Sequence, residues 1–163
     1  MLKNIAEESY KACLAQDVNS LKQIQYIDYN INKFTNYCER LLITSNNLEF
    51  KYISYYYHIF KMLEQIGDEY KYIIEDLSRK KIKISEDFKI NYKKTNQILE
   101  KFCSIFSKHD IKECIELVNE IRSNKNSILK SIIIKDSNLL QYHLLTINRI
   151  LETLVGDLFT IKN

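Results

Sequence analysis

The sequence contains no proline and only two glycines in 163 residues. Proline punctuates loops and glycine supplies the positive φ of tight turns, so sandwiches and barrels are poor fits to this composition. Glycine-rich phosphate loops are excluded outright, because the Walker and dinucleotide fingerprints each need more glycines than the chain owns. Charge of one sign is also scarce. Lys+Arg number 24 against 21 Asp+Glu, a net +3, where a protein that coats nucleic-acid backbone shows a larger and more clustered excess. The four cysteines (Cys13, Cys38, Cys103 and Cys114) form no CxxC pair and read as reduced, small apolar residues. No window approaches ~18 uninterrupted apolar residues, so no membrane span is expected. The opening MLKNIAEESYKACLAQD has no apolar run of the signal-peptide kind, and the chain reads as soluble and cytoplasmic.

What remains is helix. Apolar residues make up 45% of the chain, enough to build a core, and they recur at three- and four-residue steps. One stripe runs Val18, Leu21, Ile24, Ile27, Ile31, Phe34, Cys38, Leu41, until Asn46-Asn47 breaks it. The next runs from Ile53 through Tyr57, Phe60, Leu63, Ile66, Tyr70 and Ile73 to Leu77, ending at the basic Arg79-Lys80-Lys81. Leu48 to Lys81 would form a rod of roughly 50 Å at ~1.5 Å per residue, and a helix that long needs long neighbours. Three further helices are expected from stripes starting at Ile84, Ile111 and Leu140, separated by Ser107–Asp110 and Lys135–Asn138. Asp17, Asp110, Ser137 and Asn138 are suited to N-cap positions. The fold class is therefore all-α, an elongated six-helix bundle.

Two landmarks suggest an internal repeat. Asp17 lies 51 residues before Asp68, and Asp110 lies 47 before Asp157. Both aspartates at the far end follow the only glycines, Gly67 and Gly156. The two intervals differ by about one helical turn, which keeps corresponding faces in phase. Residues 1–82 and 83–163 are read as two three-helix units within one compact body.

The chemistry concentrates beside those glycines. Glu64 and Asp68 are four apart and share a helix face, an arrangement that is unfavourable for like charges. A bound cation would reverse that sign, since metals of hard or borderline character favour carboxylate oxygens. Asp28, at the margin of the apolar stripe on the second helix with Asn32 one turn on, is a third acid that antiparallel packing could bring opposite them. An aspartate at the solvent boundary is the plainer reading of Asp28. In the second half Arg149, Thr153 and Asp157 share a face, and Arg149 is placed to pair with Asp157. Ile121 and Lys125 stand where Asp28 and Asn32 stand in the first half. His58, His109 and His143 make no Glu-x-x-His pair, and no serine or cysteine sits in a nucleophile motif. Tyr55-Tyr56-Tyr57 reads as helix packing. The basic run Arg79–Lys94 reads as a solvated connection, with an anionic partner or membrane surface as its functional alternative.

These motifs resemble those of the PhoU phosphate-uptake regulators. LEQIGDEYKYI at Leu63–Ile73 is close to that family's Leu-Glu-Arg-Ile-Gly-Asp pattern, and RILETLVGDLFTI at Arg149–Ile161 keeps the Arg, Gly and Asp but has Thr153 for the glutamate. The resemblance spans essentially the whole chain. It implies two three-helix PhoU-like repeats and iron or zinc held by acidic motifs, with Asp28, Glu64, Asp68 and Asp157 as the candidate metal ligands here. It implies a homodimer that restrains phosphate import by contacting the phosphate ABC transporter or its sensor kinase. Enzymatic activity and direct nucleic-acid binding are not part of that expectation, and any membrane association would be peripheral. The alternative is a helical scaffold that kept the fold and lost the metal.

Overall fold

Six α-helices follow the apolar periodicity in the computed structural model, which describes residues 1–15, 17–44, 50–80, 84–108, 110–134 and 139–162. They are α1 (Leu2–Ala15), α2 (Leu21–Thr44), α3 (Phe50–Lys80), α4 (Glu86–Lys108), α5 (Ile111–Ile134) and α6 (Leu139–Lys162), with a 3-10 turn at Val18–Ser20 before α2. The described residues contain no strand. The expected break at Asn46-Asn47, His109 and the Lys135–Asn138 connection lie outside them.

Helix starts follow their capping chemistry. Asp17 Oδ1 accepts from the Asn19 N–H at 2.9 Å, and Asp110 Oδ1 accepts from the N–H of Lys112 at 2.8 Å. Each carboxylate satisfies a donor that the first helical turn leaves without an intrahelical partner. At 31 residues α3 spans about 46 Å. It packs against α1, α2 and α6, while α6 packs against α3, α4 and α5. The two third helices thus meet at the centre, with α2 and α5 on the outside and α1 against α4.

One core runs through all six helices, from Ile5 and Ile24 through Ile66 and Ile73 to Leu99, Ile121 and Leu154. Tyr92 is its aromatic hub, with ring centroids 5.1 Å from Tyr10, 5.5 Å from Phe88 and 5.8 Å from Tyr70. Its buried hydroxyl has a partner, Ser9 Oγ at 2.6 Å, as a buried phenol requires.

The α2 stripe departs from expectation in its second half. Phe34 and Leu41 are 55% and 50% exposed, and the core face continues from Ile31 to Thr35 and Leu42 instead. The reason is angular: residues 34 and 41 each lie about 100° away from 35 and 42 around the helix. A polar residue, Thr35, takes the inward position that the hydrophobic pattern assigned to phenylalanine. Tyr57, Ile111, Ile115 and Leu129 are likewise exposed.

Candidate functional site

The α2–α3 junction is where the first acidic motif comes together. A Cβ on Gly67 would stand 3.2 Å from Ile31 Cδ1 and 3.7 Å from Asp28 Oδ1, so glycine is what lets α2 approach this turn of α3. That approach carries Asp28 into the interior, where it is only 6% exposed. Its Oδ2 accepts a hydrogen bond from Lys71 Nζ at 2.9 Å, and the same ammonium donates to Asp68 Oδ1 at 2.5 Å. Asp28 Oδ1 and Asn32 Oδ1 are buried acceptors without a hydrogen bond. Glu64 turns to Lys61, 3.0 Å away, and Lys61 also reaches Glu39 Oε1 of α2 at 3.0 Å.

The electrostatics follow from this geometry. Burial pushes the Asp28 carboxyl above its ordinary range; Lys71 pulls it back, and the charges of Asp68 and Glu64 raise it further. Burial works against the Lys71 ammonium, but hydrogen bonds to Asp68 and Asp28 outweigh it and hold the lysine protonated beyond its usual range.

The second motif is built differently. A Cβ on Gly156 would meet nothing within 4 Å, so this glycine marks no close helix approach. Asp157 does not face Arg149, which is exposed; its Oδ2 lies 3.4 Å from His58 Nε2 of α3. Burial raises the Asp157 carboxyl and His58 opposes that rise. Across α5 and α6 the charges are reversed relative to the first half. Glu152 of α6 accepts from Arg122 Nε at 2.8 Å and pairs with Lys125 of α5, and Ile121 is fully buried.

No known family model matches this sequence, and no curated protein does. Among solved structures, the phosphate transport system regulatory protein PhoU from Streptococcus pneumoniae is similar over 99% of this chain and 88% of its own, with a TM-score of 0.75 at 14% identity. The fold is PhoU-like. At that identity the likeness establishes the six-helix architecture and leaves the site to be judged on its own residues.

Judged so, the first-half acids of this PhoU-like bundle are engaged by lysines of the chain itself. Among the described residues no group of three or more His, Cys, Asp or Glu side chains is arranged to hold one. Asp28 and Asp68 converge on an ammonium, Glu64 points to a second lysine, and Asp157 stands apart on α6 opposite His58. The lysines are the residues that sequence reasoning passed over. Lys71 is three residues from Asp68 and Lys61 three from Glu64, a spacing that puts each pair on one helix face, and this signal was available.

A second cluster joins α3 to α6. His143 Nδ1 lies 2.6 Å from Glu69 Oε2 and its Nε2 lies 3.2 Å from Asp76 Oδ2. Burial works against its charged form, and the two carboxylates more than compensate, raising its pKa. Glu69 and Asp76 are seven residues apart, two turns on one face, which is why one imidazole can reach both.

Proposed function

We propose that this protein is a non-enzymatic regulator of phosphate uptake that works by contact with the phosphate transporter or its sensor kinase at the cytoplasmic side of the membrane. The observation that carries this reading is the PhoU-like architecture along 99% of the chain. No helix of the described residues is long and apolar enough to cross a membrane. The chemistry is in keeping with a contact role. Burial pushes the Cys13 thiol up to about 12 and raises Cys38 and Cys103 as well, so thiolate nucleophiles are disfavoured.

The surface best suited to contact is the outer face of α2. Tyr26, Phe34, Tyr37 and Leu41 are all at least half exposed, accompanied by exposed Lys33 and Arg40. The two acids of this helix, Asp28 and Glu39, are buried. A pocket of about 430 Å³ opens beside it, lined by Ile31, Phe34, Phe60, Leu63 and Cys103. Aromatic and arginine side chains are the residue types that anchor protein interfaces.

Uptake of labelled phosphate in a deletion strain tests the proposal. Import is expected to rise when phosphate is plentiful and to be restored by the wild-type chain. A Tyr26→Ser/Tyr37→Ser variant with unchanged thermal stability is expected not to restore it. Import indifferent to the deletion would favour a helical scaffold unconnected with phosphate.

A further inference from the structure

We propose that Lys71 is the resident cation of the acidic junction, so that Asp28 and Asp68 form a metal-free clasp between α2 and α3. The inference stands apart from the role in phosphate uptake, since a regulator could work with either kind of junction.

A regularity runs along α3. Lys71 joins one acid of its own helix, Asp68, to one acid of α2, Asp28. Ten residues earlier Lys61 does the same, joining Glu64 of its own helix to Glu39 of α2. Four carboxylates at one interface are thus shared between two ammonium groups, each lysine three residues from its intrahelical partner. The pattern is a ladder of two clasps, in which the two ammonium groups offset half of the carboxylate charge and occupy the positions between the acids.

The position of the ammonium points the same way. The Lys71 side chain is 16% exposed and its ammonium lies within 3 Å of both carboxylates, the place a bridging cation would take. A divalent ion there would meet an ammonium at contact range, and charge repulsion at low effective dielectric is severe. Asp28 Oδ1 and Asn32 Oδ1 are buried and accept no hydrogen bond. The second half obeys the same rule with reversed polarity: Glu152 of α6 is held between Lys125 and Arg122 of α5.

Elemental analysis of the full chain, purified from cultures supplemented with iron and zinc, tests the proposal. The wild type is expected to carry far less than one metal per chain, and its melting temperature to be unchanged by EDTA. Lys71→Met should lower the melting temperature by roughly 5 °C, and added zinc should recover part of that loss by binding the freed acids. Stoichiometric metal in the wild type that Asp68→Asn removes would overturn the proposal. If Lys71→Met does not fold, the metal content of the wild type and of Asp68→Asn still decides, because neither measurement needs that variant.

Discussion

His143 of α6 sits with Nδ1 2.6 Å from Glu69 Oε2 of α3, and its other ring nitrogen faces Asp76 one face-repeat along the same helix. This imidazole therefore ties the two central helices together, and it does so best when charged. Tyr72, also on α3, adds a ring contact with centroids 6.0 Å apart.

The folded-state pKa of His143 is raised, so the fold binds this proton more tightly than the unfolded chain does. Its stabilisation is complete below the ordinary histidine range, near ~6.5, and is lost as pH rises through the folded-state value. Urea melts between pH 5 and 9 should show stability declining across that window. His143→Gln should flatten the decline and cost about 1–3 kcal/mol at pH 5.5, where it removes a charged hydrogen-bonding partner from two half-buried carboxylates.

The two glycines make an internal comparison. Alanine gains about 1 kcal/mol over glycine in a helix interior. At Gly156 nothing stands within 4 Å of the new methyl, so Gly156→Ala should collect most of that gain. At Gly67 the methyl would press on Ile31 Cδ1 at 3.2 Å, and Gly67→Ala should be less stable than Gly156→Ala by about 1 kcal/mol or more. Paired thermal melts read the difference; equal gains would mean that α2 does not lie tight on α3.

Asp157 is expected to be dispensable. Burial raises its folded-state pKa, so the ionised form opposes folding, and wild-type stability should gain as pH falls through that raised value. Asp157→Asn keeps the shape and removes the charge. It should melt at or slightly above the wild-type temperature at pH 7 and lose this contribution on acidification. A drop of several degrees at pH 7 would mean that the contact with half-exposed His58 outweighs the burial cost.

The helices and their caps were legible because periodicity and capping are local. Asp17 and Asp110 cap as their spacing to the following stripes required. The failures are tertiary. Phe34 looked like a core residue because it is apolar, yet the helix phase set by Ile24, Ile27 and Ile31 presents Thr35 inward. A solvent-boundary position is the plainer reading of Asp28, yet this residue is buried and meets Asp68 at Lys71, because α2 packs closely on α3 at Gly67 and that tertiary register has no local signal. His143 has no Glu-x-x-His partner on its own helix, and its two acids, Glu69 and Asp76, lie on α3, where a local motif cannot register them.

The least legible feature is a buried polar knot, where the sequence shows only polar residues on apolar faces. Thr95 of α4 accepts at Oγ1 from Asn124 Nδ2 of α5 at 3.0 Å and from Asn148 Nδ2 of α6 at 2.8 Å. It donates to the carbonyl of Asn91 at 2.9 Å. All three side chains are buried, and the hydroxyl is where α4, α5 and α6 are pinned in register. Thr95→Val preserves volume but removes one acceptor from both amides. Each amide keeps a second acceptor, Asn148 Oδ1 for Asn124 and the Leu144 carbonyl for Asn148. The cost should therefore be about 1–3 kcal/mol, short of outright unfolding. Thr95→Ser, which retains the hydroxyl, should recover more than half of that loss in urea melts. If valine is tolerated without cost, packing of the apolar residues alone sets the register of these helices.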